Sequence, residues 1–207
     1  MLKKSAFTAT LLLLIISSGL SAAVPEEKLQ GYLSELQSLE AEFEQQILDA
    51  SGQRLQHTEG AMRLLKPGRF HWETRKPFPE VLVSNGETLW LYDPGLEQVT
   101  VQQLDHRMAH TPALILSGKT AELTQDFHID YQKNMDTEIF TLVPRAVDSL
   151  FEELQLYFQQ GHITAIQLED SLGQQTRVDL IDPQYNQPLD PSVFDFVIPD
   201  NIDVIQE

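Results

Sequence analysis

The spacing of apolar residues changes near position 39 and predicts one helix followed by strands. Leu29 and Leu33 recur at helical spacing, and Pro25 stands where a first-turn proline is tolerated, so residues 25–38 are predicted to form a helix. From Leu39 onward apolar and polar residues alternate, which is typical of a half-buried strand. The folded part of the chain is therefore expected to begin with a helix that leads directly into a sheet.

About ten or eleven short strands are predicted in the remainder of the chain. The clearest turn is Asn85-Gly86, which joins two apolar runs and tolerates positive φ at both positions, as a tight hairpin requires. Residues 105–118 lack alternation and contain an apolar run, 112–116, that predicts a short helix in a long connection. A last short strand is predicted around Phe194. Because no strand–helix–strand rhythm occurs, the pattern indicates an antiparallel meander that closes or half-closes into a barrel.

Two neighbouring strands are apolar on both faces instead of alternating. They are the runs at residues 81–83 and 89–92, the second of which contains Trp90 and Tyr92. One explanation is a sheet that the protein's own helices cover on both sides. The other is a sheet with one face on a helix and the other face lining an apolar cavity. A filled core and a ligand cavity use the same side chains, so the pattern favours neither.

The first 23 residues have the pattern of a secretory signal. Two lysines precede an apolar run at residues 6–16, and small residues stand at the positions where signal peptidase cuts. The run is too short to cross, as a helix, a bilayer core of roughly 30 Å. We expect residues 1–23 to be cleaved after Ala23 and residues 24–207 to form a single domain.

Composition narrows the classes of function. The chain has 31 acidic and 14 basic residues and a net charge of −17, so it lacks the basic face that nucleic-acid binding or attachment to an anionic membrane requires. High net charge favours a monomer that does not adhere to membranes. The absence of cysteine excludes disulfides, thiol catalysis and a lipid-modified N-terminal cysteine. An exported chain without an anchor is expected in the periplasm.

Motifs for catalysis or metal binding are weak. The chain has no G-x-S-x-G elbow, no glycine-rich phosphate loop and no H-E-x-x-H zinc motif. His106 and His110 are spaced to share one helical face, but the residues between them supply no carboxylate base. A hydrolase built on this pair would need a nucleophile or a metal set that the sequence does not show. We therefore expect no enzyme activity, no cofactor and no metal.

Several motifs in strand order carry a resemblance to a known family. They are Phe43-Glu-Gln45, Lys66-Pro-Gly-Arg-Phe70-His-Trp72, Pro77, Val83-Ser-Asn-Gly86-Glu-Thr-Leu-Trp90-Leu-Tyr92-Asp-Pro94, Glu97-Gln98-Val-Thr, Thr111-Pro112 and Phe194-Asp-Phe196. Together they resemble the periplasmic outer-membrane lipoprotein carrier family, LolA. The resemblance covers essentially all of residues 24–207, and the block 66–94 is its most specific part.

The resemblance implies a mainly β fold, an incomplete antiparallel barrel whose apolar cavity is covered by a helical lid. It implies a carrier that takes acylated lipoproteins from an inner-membrane ABC transporter and hands them to a lipoprotein receptor at the outer membrane. Aligned to the family, five residues would line the acyl-chain cavity and three would lie in the lid. The cavity residues are Phe43, Met62, Leu64, Phe70 and Trp72, and the lid residues are Leu114, Ile115 and Leu116.

One position departs from the family pattern. Where the family has an arginine that binds backbone carbonyls of the lid, this chain has Lys66. A lysine offers three donors on a flexible stem and lacks the planar five-donor fork of arginine. The resemblance thus implies a lid latch at Lys66. The alternatives are a weaker latch, a lid that closes differently, or a lysine that only solvates a turn.

A second function is compatible with the same fold. Related half-barrels act as periplasmic modules that sense lipids or lipoproteins, and cavity residues alone do not separate sensing from transport. Such modules usually continue into another domain or a membrane anchor, whereas this chain ends soon after its last predicted strand. That difference favours the carrier.

Overall fold

A computed structural model shows the α-helix α1 and a twelve-stranded sheet within the part of the chain that it describes. That part comprises residues 24–104, 112–118, 125–146, 149 and 151–206. Helix α1 is Pro25–Glu35, and the strands β1 to β12 follow in chain order. Their bounds are Ser38–Leu48, Arg54–Leu65, Arg69–Lys76, Glu80–Asn85, Thr88–Asp93, Gln98–Gln103, Phe127–Asn134, Thr137–Pro144, Glu153–Gln159, His162–Glu169, Gln175–Tyr185 and Asp203–Gln206. Two 3-10 helices, Pro112–Ser117 and Pro191–Phe194, complete the described elements.

The strands form one open sheet in the order β12-β6-β5-β4-β3-β2-β1-β11-β10-β9-β8-β7. Every neighbouring pair is antiparallel except β12 and β6, which run parallel. Strands β7 and β12 form the two edges of the described sheet, so it curves without closing. The predicted fold class is confirmed, with twelve strands in place of about ten or eleven.

Helix α1 lies on the concave side of the sheet, and the side chain of Asn186 binds its C-terminal end. Leu29 and Leu33, the pair that predicted the helix, are buried in the main core. Asn186 Nδ2 donates to the Glu35 carbonyl at 3.0 Å, and Asn186 Oδ1 accepts from the Gln37 backbone N–H at 2.8 Å. The side chain thereby satisfies backbone groups that a helix end leaves without partners. The helix ends there, and β1 begins at Ser38.

The last strand lies elsewhere than the sequence predicted. Phe194 is not in a strand but ends the 3-10 helix, which Asp190 caps by accepting from the Ser192 backbone N–H at 2.9 Å. Pro191 at the start of this turn fixes a helical φ, and the local cap outweighs the alternation of Phe194 and Phe196. The terminal strand is β12, whose Val204 pairs with Val99 of β6.

Strands β4 and β5 are apolar on both faces, and each face contacts a different part of the protein. Leu82, Leu89 and Leu91 belong to or pack against the large concave core. The intervening residues face the convex side, where Phe196 lies 6.4 Å from the Trp90 ring and 5.7 Å from the Tyr92 ring. The C-terminal segment thus packs on the convex face of these strands, whereas on the concave face Leu82 and Leu91 also line a cavity of about 380 Å³.

Candidate functional site

The five residues predicted to line the cavity lie together on the concave face. All five are at most 4% exposed, as are the neighbours Leu39 and Ala41. Register brings them together, since Met62 pairs with Trp72 and Leu64 pairs with Phe70 across β2 and β3. Their side chains form one continuous apolar surface, and such a surface binds alkyl chains through non-directional hydrophobic contacts.

An aromatic stack organises this surface. The Phe43 and Trp72 rings are stacked at 3.6 Å, and Phe70 lies 6.2 Å from Trp72. The position of the Phe43 ring requires a glycine at residue 60. A Cβ there would lie 2.6 Å from the Phe43 ring and 1.9 Å from the Glu73 carbonyl oxygen. Glycine at this strand position thus permits the close approach of ring and backbone.

The 3-10 helix Pro112–Ser117 covers part of the concave face. Ile115 and Leu116 are buried in the main core, whereas the side chain of Leu114 lies outside the described part of the structure. The helix contacts β2, β3, β10 and β11. Its C-terminal carbonyl, that of Ser117, accepts from the Gly68 backbone N–H at 2.9 Å. Two of the three predicted lid residues are therefore seen to pack against the concave core.

Lys66 lies at the β2–β3 turn and reaches α1. Its Nζ donates to the Leu33 carbonyl at 2.8 Å, and its backbone N–H donates to the Gln37 carbonyl at 2.9 Å. Burial of the amine lowers the pKa of Lys66 from 10.5 to about 8. The described geometry thus brings the predicted latch to a backbone carbonyl of the helix that covers the concave face.

A second polar contact with α1 was not predicted from the sequence. Glu138, only 6% exposed, accepts hydrogen bonds from Lys28, Tyr131 and Tyr32, the last at 2.6 Å. Burial raises the pKa of Glu138, but these three donors outweigh it and bring the pKa down to about 2. The Lys28 amine also lies 4.4 Å from the centre of the Tyr131 ring. We name these four residues the Glu138 cluster.

A sequence signal for the Glu138 cluster did exist. Glu138 shares strand parity with Phe140 and Leu142, so the alternation of β8 already placed an acid on the buried face. A buried carboxylate needs charge partners and donors. Parity could not identify Lys28, which is distant in sequence and lies on the helix.

Some sequence predictions fall on parts of the chain that the structure does not describe. His106 and His110 lie outside the described residues, as does the predicted signal peptide, 1–23. The predicted cleavage after Ala23 therefore stays a prediction. Among the described residues, no helix has the length and apolar character needed to cross a membrane.

Comparison with known proteins gives consistent results. The family model "Outer membrane lipoprotein carrier protein LolA" matches residues 34–197. The chain is 48% identical to the outer-membrane lipoprotein carrier protein of Chromohalobacter salexigens, over 87% of this chain and 86% of that one. It is 45% identical to that of Pseudomonas paraeruginosa, over 90% of this chain and 89% of the relative.

The solved structures show the same fold at lower identity. The crystal structure of a LolA superfamily protein from Nitrosomonas europaea matches with a TM-score of 0.51 and 12% identity, covering 84% of this chain and 99% of that one. The sequence relatives, together with the family model, identify this chain as a member of the LolA family of outer-membrane lipoprotein carrier proteins.

Proposed function

We propose that this protein shelters the acyl chains of lipoproteins against its concave face and carries them through the periplasm. The observation that carries the proposal is the continuous buried apolar surface around Phe70 and Trp72. Helix α1 covers this surface and is bound to the β2–β3 turn through Lys66. The relatives are named as lipoprotein carriers, and the LolA family consists of carriers and not of enzymes. The same membership supports a periplasmic location.

The energetics of the cargo explain why such a surface is needed. Exposing one acyl chain of about 14 methylenes to water costs on the order of 10 kcal/mol at ~0.8 kcal/mol per methylene. The concave side chains of Met62, Leu64 and Phe70 are 0% exposed, so they are covered in this structure. Acyl chains can therefore reach these side chains only when the cover moves away. In this proposal α1 and the 3-10 helix Pro112–Ser117 form the lid, and Lys66 is its latch.

The proposed route has two partners. An ABC transporter of the inner membrane would load the acylated lipoprotein, and a receptor at the outer membrane would accept it. Non-directional apolar contacts suit such a transfer, because they hold the cargo without fixing it in one pose. Direction would then come from the difference between the affinities of the two partners.

The test uses release of lipoproteins from inner-membrane spheroplasts. Phe70→Glu should abolish release into the soluble fraction, because a carboxylate on the concave face would meet the acyl chains without a partner. Val197→Glu is the matched control, because it adds the same charge at a side chain that is 83% exposed. Normal release by Phe70→Glu would show that the concave face is not the functional surface.

A companion experiment separates the carrier from a sensing module. The protein is purified from the periplasm, and co-purifying acylated lipoprotein is sought by mass spectrometry. A protein that binds lipoprotein but never releases it from spheroplasts would be a sensor of the same fold. Release that depends on the protein establishes the carrier.

A further inference from the structure

The cavity that Leu82 and Leu91 line lies at the end of the sheet opposite Lys66. Lys66 marks the β2–β3 turn, whereas the lining residues Phe78 and Pro79 belong to the β3–β4 turn at the other end. Three adjacent strands add further lining residues, namely Gln45 of β1, Gln56 and Thr58 of β2, and Trp72 and Thr74 of β3. The cavity therefore joins the apolar concave surface to a region of neutral polar side chains.

The change from apolar to polar takes place within one step along β1 and β2. Phe43 pairs with Gly60, and the next pair on the same face is Gln45 with Thr58. Alternate residues of a strand share one face and lie about 7 Å apart. Gln45 and Thr58 therefore lie side by side, one step beyond the Phe43 ring that stacks on Trp72.

The hydroxyl of Thr58 is buried without a partner. Thr58 is 3% exposed, and its Oγ1 has no hydrogen-bond partner among the described residues. A buried hydroxyl in this condition costs free energy and is rare in folded proteins. Rotation about the Cα–Cβ bond, between staggered positions, turns the hydroxyl towards the cavity that Thr58 lines. The cavity wall thus holds a donor that no described residue uses.

The other groups of the wall narrow the chemistry of a ligand. Trp72 Nε1 already donates to Thr74 Oγ1 at 3.2 Å, so the indole offers a ligand its apolar ring. The carboxyl side chains of Glu80 and Asp93 also line the cavity and disfavour an anionic acceptor such as a phosphate. A neutral acceptor suits the amide and the hydroxyl that remain on β1 and β2. A carbonyl oxygen at the end of an apolar segment has this character.

We propose that Gln45 and Thr58 bind the carbonyl group that ends an acyl chain of the cargo. This inference rests on the proposed lipoprotein-carrier function and adds a site that fixes how deep the acyl chain enters. The Thr58 hydroxyl and the Gln45 amide donate to the carbonyl oxygen, while the first methylenes contact the stacked rings of Phe43 and Trp72. The chain then continues along the apolar concave surface, and the peptide stays outside the cavity.

Two linkages in a lipoprotein present such a carbonyl. One is the ester that joins a chain to the glyceryl group, and the other is the amide of an N-acyl chain. The test therefore uses three synthetic short-chain lipopeptides below their aggregation concentration. The first has two ester-linked chains, the second has two ether-linked chains of equal length, and the third adds an amide-linked chain to the diether.

Affinity is measured by titration calorimetry on the full-length mature protein. The wild type should bind the diester about tenfold more tightly than the diether, as expected for two hydrogen bonds, although the ether is the more apolar group. Thr58→Val and Gln45→Leu should each reduce this preference to about threefold, and the double variant should remove it. Thr141→Val is the matched control and should keep the full preference, because Thr141 alternates with the buried Phe140 and Leu142 and faces the convex side.

A second measurement separates ligand binding from a structural role of the hydroxyl. Thr58→Val should keep the urea midpoint of unfolding at or above that of the wild type, because it replaces an unpartnered hydroxyl with a methyl group. A clear fall of the midpoint would show that the fold itself uses the hydroxyl and would overturn the assignment.

Each outcome of the titrations decides one of the two proposals. Equal, measurable binding of diester and diether by the wild type overturns the carbonyl site and leaves the carrier function standing. Failure of all three lipopeptides to bind overturns the carrier function itself. A preference that survives the double variant places carbonyl recognition elsewhere and overturns this assignment. Weaker binding of the amide-bearing lipopeptide by the double variant than by the wild type supports the site and identifies the amide as a second source.

Discussion

Two polar attachments of helix α1 to the sheet differ in character. At Lys28 and Tyr32 the helix binds Glu138, which receives three donors and has a pKa of about 2. Towards its C-terminus the Leu33 carbonyl accepts from Lys66, an amine whose burial lowers its pKa to about 8. The donors around Glu138 stabilise its charged form, whereas burial of the Lys66 amine disfavours its charged form.

The difference indicates how the lid opens. A carboxylate satisfied by several donors resists separation, whereas a half-buried amine regains hydration when it leaves its carbonyl. We expect loss of the Lys66 bond to loosen the packing of α1 on the concave face, while the Glu138 cluster and the direct continuation of the helix into β1 keep it attached to the sheet. The carrier would then open without losing its helix.

The largest expected effect comes from the Glu138 cluster. Glu138→Ala should lower the free energy of unfolding by about 3 kcal/mol, because it leaves Lys28 and two tyrosine hydroxyls without their acceptor. Urea denaturation measures this. Glu138→Gln keeps an acceptor and should cost less. If Lys66→Leu destabilised the protein more than Glu138→Ala did, the comparison of the two attachments would be inverted.

Lys66→Leu should affect function more than stability. A bond from a charged group to a carbonyl contributes roughly 1.5–3 kcal/mol, and a flexible lysine falls at the low end. Loss of ~1.4 kcal/mol shifts the ratio of open to closed lid about tenfold. The variant should load lipoprotein from spheroplasts yet deliver it poorly to outer-membrane vesicles, because an easily opened lid lowers the cost of keeping cargo.

Lys66→Arg is the matched control for the latch. Its guanidinium has more donors in a fixed plane and should favour the closed form. Equal impairment of loading and delivery by Lys66→Leu, or no impairment of either, would show that apolar contacts alone hold the lid.

Alkaline pH should shift the lid equilibrium by about as much as Lys66→Leu does, but towards the closed form. The closed form has a Lys66 pKa of about 8, and the hydrated amine of an open form has the ordinary value of 10.5. Closure therefore releases a proton, and raising the pH from about 7 to about 9 should favour the closed lid by about tenfold. Fluorescence of a probe on α1 would report closure. In Lys66→Arg this pH response should be absent.

The Glu138 cluster should respond to acid pH instead of alkaline pH. The folded-state pKa of Glu138 is about 2 and its ordinary value is 4.5, so its contribution to stability is complete above 4.5. That contribution falls as the pH drops towards 2. Acid unfolding followed by circular dichroism should show this loss in the wild type and much less of it in Glu138→Gln.

The sequence predicted the elements that local periodicity determines. Phe70 and Trp72 were assigned inward from strand parity and family alignment, and the structure places both on the concave face. The terminal strand was misplaced because Phe194 alternates with Phe196, while the cap from Asp190 that overrides this pattern is a matter of backbone geometry. Local pattern fails where a cap or turn competes with alternation.

The polar contacts of the site could be predicted only in part. Lys66 was recognisable through the family motif, but its acceptor, the Leu33 carbonyl, depends on how α1 packs over the sheet. Contacts between distant segments follow from packing, which periodicity does not encode.

The parallel strand β12 has a consequence for self-association. Without it, β6 would present a row of unpaired N–H and C=O groups, and such an edge pairs readily with a second chain. β12 covers that edge along Gln98 to Val101 and is itself only four residues long. At this edge of the described sheet the protein therefore offers only a short strand to a second chain, and in the proposed carrier that edge is kept apart from the apolar surface for cargo.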